Sequence, residues 1–148
     1  MNIVRQFSVS MVNRPGILAN ICRALADAKV NILALAVSDS VELGLLRIVV
    51  DKPELAKSIL SKFDTPISET EVLVVEMPNR PGALAGAAEK LGRAHINLNY
   101  AYATTGTPGG RTTVVLKVQY PEKAIKVLHE TDRKEERKNL FRANFQAH

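Results

Sequence analysis

The chain has 148 residues, 46% hydrophobic and 24% charged, which is enough apolar material for a packed core and excludes a disordered chain. Its formal net charge is +5, yet aromatics are 5% and Trp is absent, so a base-stacking nucleic-acid reader has little to work with. No apolar run spans a bilayer, the single Cys22 excludes an intrachain disulfide, and Met1-Asn2-Ile3-Val4-Arg5 lacks a signal peptide's form, so a cytoplasmic protein away from membranes is expected.

Ile3 to Val12 alternates, with Arg5, Phe7, Val9 and Met11 on one face and Gln6, Ser8 and Ser10 on the other, which predicts a half-buried strand. Asn13-Arg14-Pro15-Gly16 breaks it, and Pro15 suits a first helical turn, where a missing N–H costs nothing. Ile17, Leu18, Ile21, Leu25 and Ala28 follow as one apolar helical stripe. Val30-Asn31-Ile32 opens a second strand to about Val37, Asp39 to Gly44 is a polar turn, and Leu45 to Val50 is a third strand. Pro53 starts a second helix through Leu55, Ile59 and Leu60, and a short fourth strand is expected near Ile67.

The order then recurs. Val72 to Met77 reads as strand, Pro81 to Ala94 as helix, Asn97 to Ala103 as strand, 104–110 as a hairpin tip, Arg111 to Val118 as strand, and Pro121 to about His129 as helix. A fourth strand for this second set has no evident place, since Leu140, Phe141 and Phe145 are the only apolar candidates left. The stretch after Glu130 mixes Arg133, Lys134, Arg137, Lys138 and Arg142 with Asp132, Glu135 and Glu136, and reads as a solvated end.

The recurrence is a duplication. Asn13-Arg14-Pro15-Gly16-Ile17-Leu18 returns 66 positions later as Asn79-Arg80-Pro81-Gly82-Ala83-Leu84. Val9 and Val75, Met11 and Met77, Leu25 and Leu91, and Asn31 and Asn97 match at the same offset, as do Gly44 and Gly110 and Val49 and Val115. A two-residue slip after that brings Pro53-Glu54 onto Pro121-Glu122. Two copies of a small unit follow, residues 1–67 and 68–131, with a polar tail over 132–148. Helices on one face of an antiparallel sheet make each unit α+β and ferredoxin-like, βαββαβ. Each is small for a stable core of its own, so the two should dock, and a homodimer would cover exposed edge strands.

The strand-to-helix turn is where the chemistry can sit. A helix N-terminus offers unpaired N–H groups and partial positive charge, and Gly16 and Gly82 let a ligand approach that backbone. Asn13 and Asn79 stand beside it, and Asn31 and Asn97, at the far end of the helix, can face the turn of another unit. Amides for a carboxylate and Asn oxygens for an α-amino group describe a site for a small zwitterion. Each element also has a plain structural reading: Pro-Gly as turn chemistry, Asn before a helix as a cap, Asn after it as a turn residue. Leu33-Ala34-Leu35-Ala36 becomes Asn99-Tyr100-Ala101-Tyr102 in the second copy, where Tyr100 and Tyr102 share one face, lining a pocket or packing as ordinary strand residues. His95, His129 and His148 join no nucleophile, Cys22 has no metal-ligand spacing, and no phosphate loop is present, so neither catalysis nor a cofactor is expected.

Asn-Arg-Pro-Gly-x-Leu, then Leu25 or Leu91, then Val30-Asn31-Ile32 or Ile96-Asn97-Leu98, a strand pair and a second helix together resemble the ACT domain, over about residues 3–65 and 69–130. The resemblance implies a regulatory module that binds a free amino acid between ACT units and acts on itself or on a biosynthetic enzyme. It carries ligand contacts onto Asn13, Gly16, Ile17, Leu18 and Asn31 in the first unit and Asn79, Gly82, Ala83, Leu84 and Asn97 in the second. Arg14 and Tyr100 join them as candidates, as do Met11 and Met77, which stand where serine-binding members have a His and so favour a larger or more apolar ligand. The small subunit of acetolactate synthase is similar at its first unit, although its second half normally lacks another such motif. An RNA-recognition module shares the strand–helix order, but Arg111 to Val118 carries no base-stacking aromatic.

Overall fold

The computed structural model describes residues 1–12, 14–39, 43–104 and 106–146, with the side chains of residues 131, 132, 135 and 136 left aside. The elements follow the order β1 (Asn2–Val12), α1 (Ile17–Asp27), β2 (Ile32–Asp39), β3 (Leu43–Val50), α2 (Pro53–Leu60), β4 (Ile67–Pro78), α3 (Ala83–Arg93), β5 (Leu98–Ala103), β6 (Arg111–Val118) and α4 (Pro121–Gln146). The duplicated units are shown, and they share one six-stranded antiparallel sheet in the order β2-β3-β1-β4-β6-β5.

Strand sharing resolves the question of the fourth strands. The expected short strand near Ile67 and the strand from Val72 are one element, β4. Its first half pairs with β1 and completes the first unit, while its second half pairs with β6. In return, the N-terminal half of β1 takes the fourth-strand place of the second unit, with Asn2 opposite Val74 and Val4 opposite Val72. Arg5 lies opposite Glu71, its own counterpart at the repeat offset, so the pseudo-twofold axis passes between them. The tail is not needed to close the sheet. Residues 121–146 form one helix that runs well beyond the expected end near His129.

Register also relocates the two-residue slip. Phe7 pairs with Ile48 and Leu73 with Leu116, so strand β6 already sits 68 positions past β3. Gly44 lies opposite Met11 and Thr112 opposite Met77, making Thr112 the counterpart of Gly44 rather than Gly110. The matches of Gly44 with Gly110 and Val49 with Val115 were coincidences. Strands β2 and β5 keep the offset of 66, including the irregularity after Ile32 and after Leu98, so the insertion lies in the 104–110 hairpin.

One face of the sheet packs on helices. Phe7, Val9 and Met11 meet Ile21 and Leu25 of α1 and Ile59 and Leu60 of α2, while Leu73, Val75 and Met77 join Leu91 of α3 and Ala124 and Leu128 of α4. Both α1 and α3 end alike. Val30 N–H reaches Leu25 O and Lys29 N–H reaches Ala26 O, and Ile96 and His95 repeat those bonds to Leu91 and Gly92. This is a Schellman stop, with Lys29 and His95 at positive φ of 60° and 56° where glycine is usual. Asn31 and Asn97 therefore do not turn the chain.

The other face is buried as well, because the sheet curls until its edge strands β2 and β5 approach one another. Ala34, Val49, Val72 and Val115 fill the curl together with Tyr102. Gln6, expected on the exposed side of a half-buried strand, is 0% exposed. Its Nε2 donates to the Tyr100 hydroxyl at 2.7 Å, and its Oε1 accepts from the Tyr102 hydroxyl at 2.8 Å. The Arg47 guanidinium lies 3.9 Å from the Tyr100 ring centroid. Burial pushes the Tyr102 phenol above its ordinary pKa, neighbouring Tyr100 adds to this, and Arg47 opposes it.

Candidate functional site

The two strand-to-helix elbows have nearly the same backbone. Arg14 N–H bonds Val12 O at 2.8 Å and Arg80 N–H bonds Pro78 O at 3.0 Å, the latter closing a tight three-residue turn at Asn79. Gly16 and Gly82 then take φ of 88° and 87° as helix N-caps. A side chain at either would meet nothing within 4 Å, so it is the left-handed backbone that demands glycine there. Asn13 and His148 lie outside the described residues.

In the second unit Asn79 ties the elbow to the hairpin. Its N–H donates to Gly110 O, its carbonyl accepts from Gly109 N–H, and its Nδ2 donates to Gly106 O at 3.0 Å. Its Oδ1 remains without a partner among the described residues. No side chain caps α3, and the N–H groups of Leu84 and Ala85 have no protein acceptor among the described residues. Here a cleft of about 400 Å³ opens between Met77, Arg80, Ala83 and Leu84 on one side and Ala103, Thr104 and Val114 on the other. No carboxylate among the described residues lines it.

The first elbow carries a smaller counterpart of about 160 Å³, lined by Met11, Arg14, Ile17, Leu18, Val37 and Asp39 among others. Two exchanges account for much of the difference: Ile17 becomes Ala83, and Val37 becomes Ala103. The longer second hairpin adds Gly106 to the wall, while Thr104 takes the place that Ser38 has in the first cleft. Asp39, Thr104 and Thr112 at these clefts were not anticipated, because hairpin residues become neighbours of the elbow only through strand pairing.

The remaining candidates sit elsewhere. The carbonyls of Asn31 and Asn97 accept from Asp51 and Gln119 N–H at the opposite end of the helices, and neither Asn lines an elbow cleft. Tyr100 points its hydroxyl at Gln6 inside the curl and lines neither cleft. Among the described residues no cluster of His, Cys, Asp or Glu could hold a metal ion, and no helix is long and apolar enough to cross a membrane.

A duplicated α+β unit with matching glycine elbows and a shared sheet agrees with the sequence match: the family model for an ACT domain pair covers residues 1–142. The chain belongs to the ACT domain pair family. Among solved structures, protein BT0572 from Bacteroides thetaiotaomicron superposes on this ACT domain pair with a TM-score of 0.81 at 28% identity, covering 88% of this chain and 89% of that one. The ligand-free regulatory subunit of aspartate kinase from Thermus thermophilus gives 0.66 at 15% identity over 88% and 97% of the two chains. A structure of aspartokinase α and β subunits gives 0.60 at 20% identity over 90% and 98%. At those lower identities the likeness is one of fold. No curated protein matches the chain.

Proposed function

We propose that this ACT domain pair is a non-catalytic regulatory protein that senses a free amino acid, with the second-unit elbow as its principal site. The observation that carries this is the Leu84 N–H, unpartnered among the described residues, at a cleft where Arg80 stands and no described carboxylate does. Helix-end amides and a guanidinium complement an α-carboxylate, and Asn79 Oδ1 accepts from an α-ammonium. At about 400 Å³ the cleft is within the size range of ligand sites, roughly 300–1,000 Å³, whereas the first-unit cleft is below it. The apolar wall of Met77, Ala83, Leu84 and Val114 favours an apolar side chain over serine.

The protein acts as a homodimer. Leu33, Leu35 and Val37 on edge strand β2 are 46%, 41% and 49% exposed, an apolar stripe that a second copy would cover. In such a dimer Asn31 and Asn97 reach the elbow of a neighbouring unit. A coupling of about 1–3 kcal/mol between sites suffices to bias the assembly or a cytoplasmic biosynthetic enzyme that it serves. The fold likeness to a regulatory subunit of aspartate kinase supports a partner of that kind.

Calorimetric titration of the full chain with the twenty amino acids tests this. Heat is expected from at least one apolar amino acid, weakened at least tenfold by Ala83→Ile, which installs the residue of the first unit. Folded protein that responds to none of the twenty would overturn the reading.

A further inference from the structure

Helix α4 outlasts the unit it belongs to. Its counterpart α2 stops at Leu60, which matches Leu128, the last buried side chain of α4. Every described side chain of α4 after Leu128 is exposed. A helix draws most of its stability from packing an apolar face, and these last turns, about five of them, bury none within their own chain. The extension nevertheless carries such a face. Leu140, Phe141 and Phe145 are 64%, 70% and 78% exposed, and the two rings lie 5.8 Å apart as one aromatic patch. At about 3.6 residues per turn, Arg137 and Asn144 fall between Leu140 and Phe141 around the helix, and Lys138 and Arg142 follow Phe145. The opposite side carries Asn139, Ala143 and Gln146. The carboxylates of the extension, Glu130, Asp132, Glu135 and Glu136, all precede Arg137. Neither Arg137 nor Arg142 has one of them three or four positions away, whereas Lys138 has Glu135.

We propose that this face of α4 docks on an anionic lipid bilayer, with the helix lying in the plane of the headgroups. Apolar side chains on one side of a helix, with cations among and beside them, suit that boundary. The rings enter the edge of the acyl layer and the guanidinium groups turn back to the phosphates. A groove in a protein would bury Arg137 between Leu140 and Phe141 and would need a carboxylate placed for it, whereas a bilayer offers anionic groups everywhere along its surface. A second copy laid on the face would bring Arg137, Lys138 and Arg142 against the same cations again. Among the described residues no helix is long and apolar enough to cross a membrane. A helix that lies on the surface needs no such length, so the expectation of a protein away from membranes is narrowed to one that does not span them. Leu140, Phe141 and Phe145 line neither elbow cleft, so the face goes beyond the amino-acid reading and does not depend on it.

The chain has no Trp, so Phe141→Trp places a single indole on this face for fluorescence. The full chain carrying it is titrated with vesicles of phosphatidylcholine and phosphatidylglycerol in equal parts, and with vesicles of phosphatidylcholine alone. The wild type is co-sedimented with both. Emission should shift to the blue on the anionic vesicles, and binding should fall at least tenfold on the neutral ones and in high salt. Phe141→Ser with Phe145→Ser, and separately Arg137→Gln with Arg142→Gln, should each weaken co-sedimentation at least tenfold. All four side chains are exposed, so neither pair disturbs the core. Folded wild type that leaves anionic vesicles unbound overturns the proposal. Binding that survives the Phe pair does so too, since it would then be the general attraction of a chain of net charge +5. A blue shift without lipid that grows with protein concentration would assign the face to a second copy, and an equal shift on single-stranded oligouridylate would assign it to nucleic acid. Either result also overturns the proposal.

Discussion

The two units of this ACT domain pair diverged in opposite senses on the two faces of their sheet. On the helix face the first unit is filled, with Ile17, Asn20 and Ile21, and the second is thinned, with Ala83, Gly86 and Ala87 at the same places. Inside the curl the exchange is reversed: Ala34 and Ala36 of the first unit stand where the second has Tyr100 and Tyr102. The inner face is one shared volume, so a large side chain from one copy requires a small one from the other. The helix faces are independent, so one copy can keep its packing while the other opens a larger cleft. Duplication followed by such division leaves one unit filled and the other open.

That contrast can be tested most sharply in the cores. Leu25→Ala and Leu91→Ala each remove a fully buried side chain and should each cost about 2–5 kcal/mol. Because β1 and β4 each complete both units, either variant should shift a single cooperative transition in chemical denaturation. Two separated transitions would break the picture of a shared sheet. Next in size, Gln6→Ala leaves the Tyr100 and Tyr102 hydroxyls without their partner inside the curl and should cost about 1–3 kcal/mol. An unchanged denaturation midpoint would mean that the curl does not depend on that bridge. The smallest effect is a gain. Lys29→Gly and His95→Gly relieve left-handed backbone and should each stabilise the protein by about 1 kcal/mol, equally in the two units, as read from the thermal midpoint. Unequal gains would show that the matching helix stops differ in what surrounds them.

The elbows were the most legible part of the site. Asn-Arg-Pro-Gly-x-Leu at a strand–helix junction predicted both turns, and Gly16 and Gly82 stand there as helix caps. What could not be read was which distant residues complete the clefts. Thr104, Thr112 and Asp39 reach the elbows through strand pairing, and Asn31 and Asn97 stay at the far ends of the helices within one chain.

Sequence by itself determined the periodic elements, the duplication and the family, since side-chain period and the residues of a tight turn are local properties of the chain. Only the tertiary structure decided that β1 and β4 exchange halves, that Gln6 is buried, and that the two-residue insertion lies in the second hairpin. Those features depend on which strand edge meets which and on how far the sheet curls. Such non-local choices minimise unpaired edges and exposed apolar surface over the whole molecule, and no short stretch of sequence encodes them.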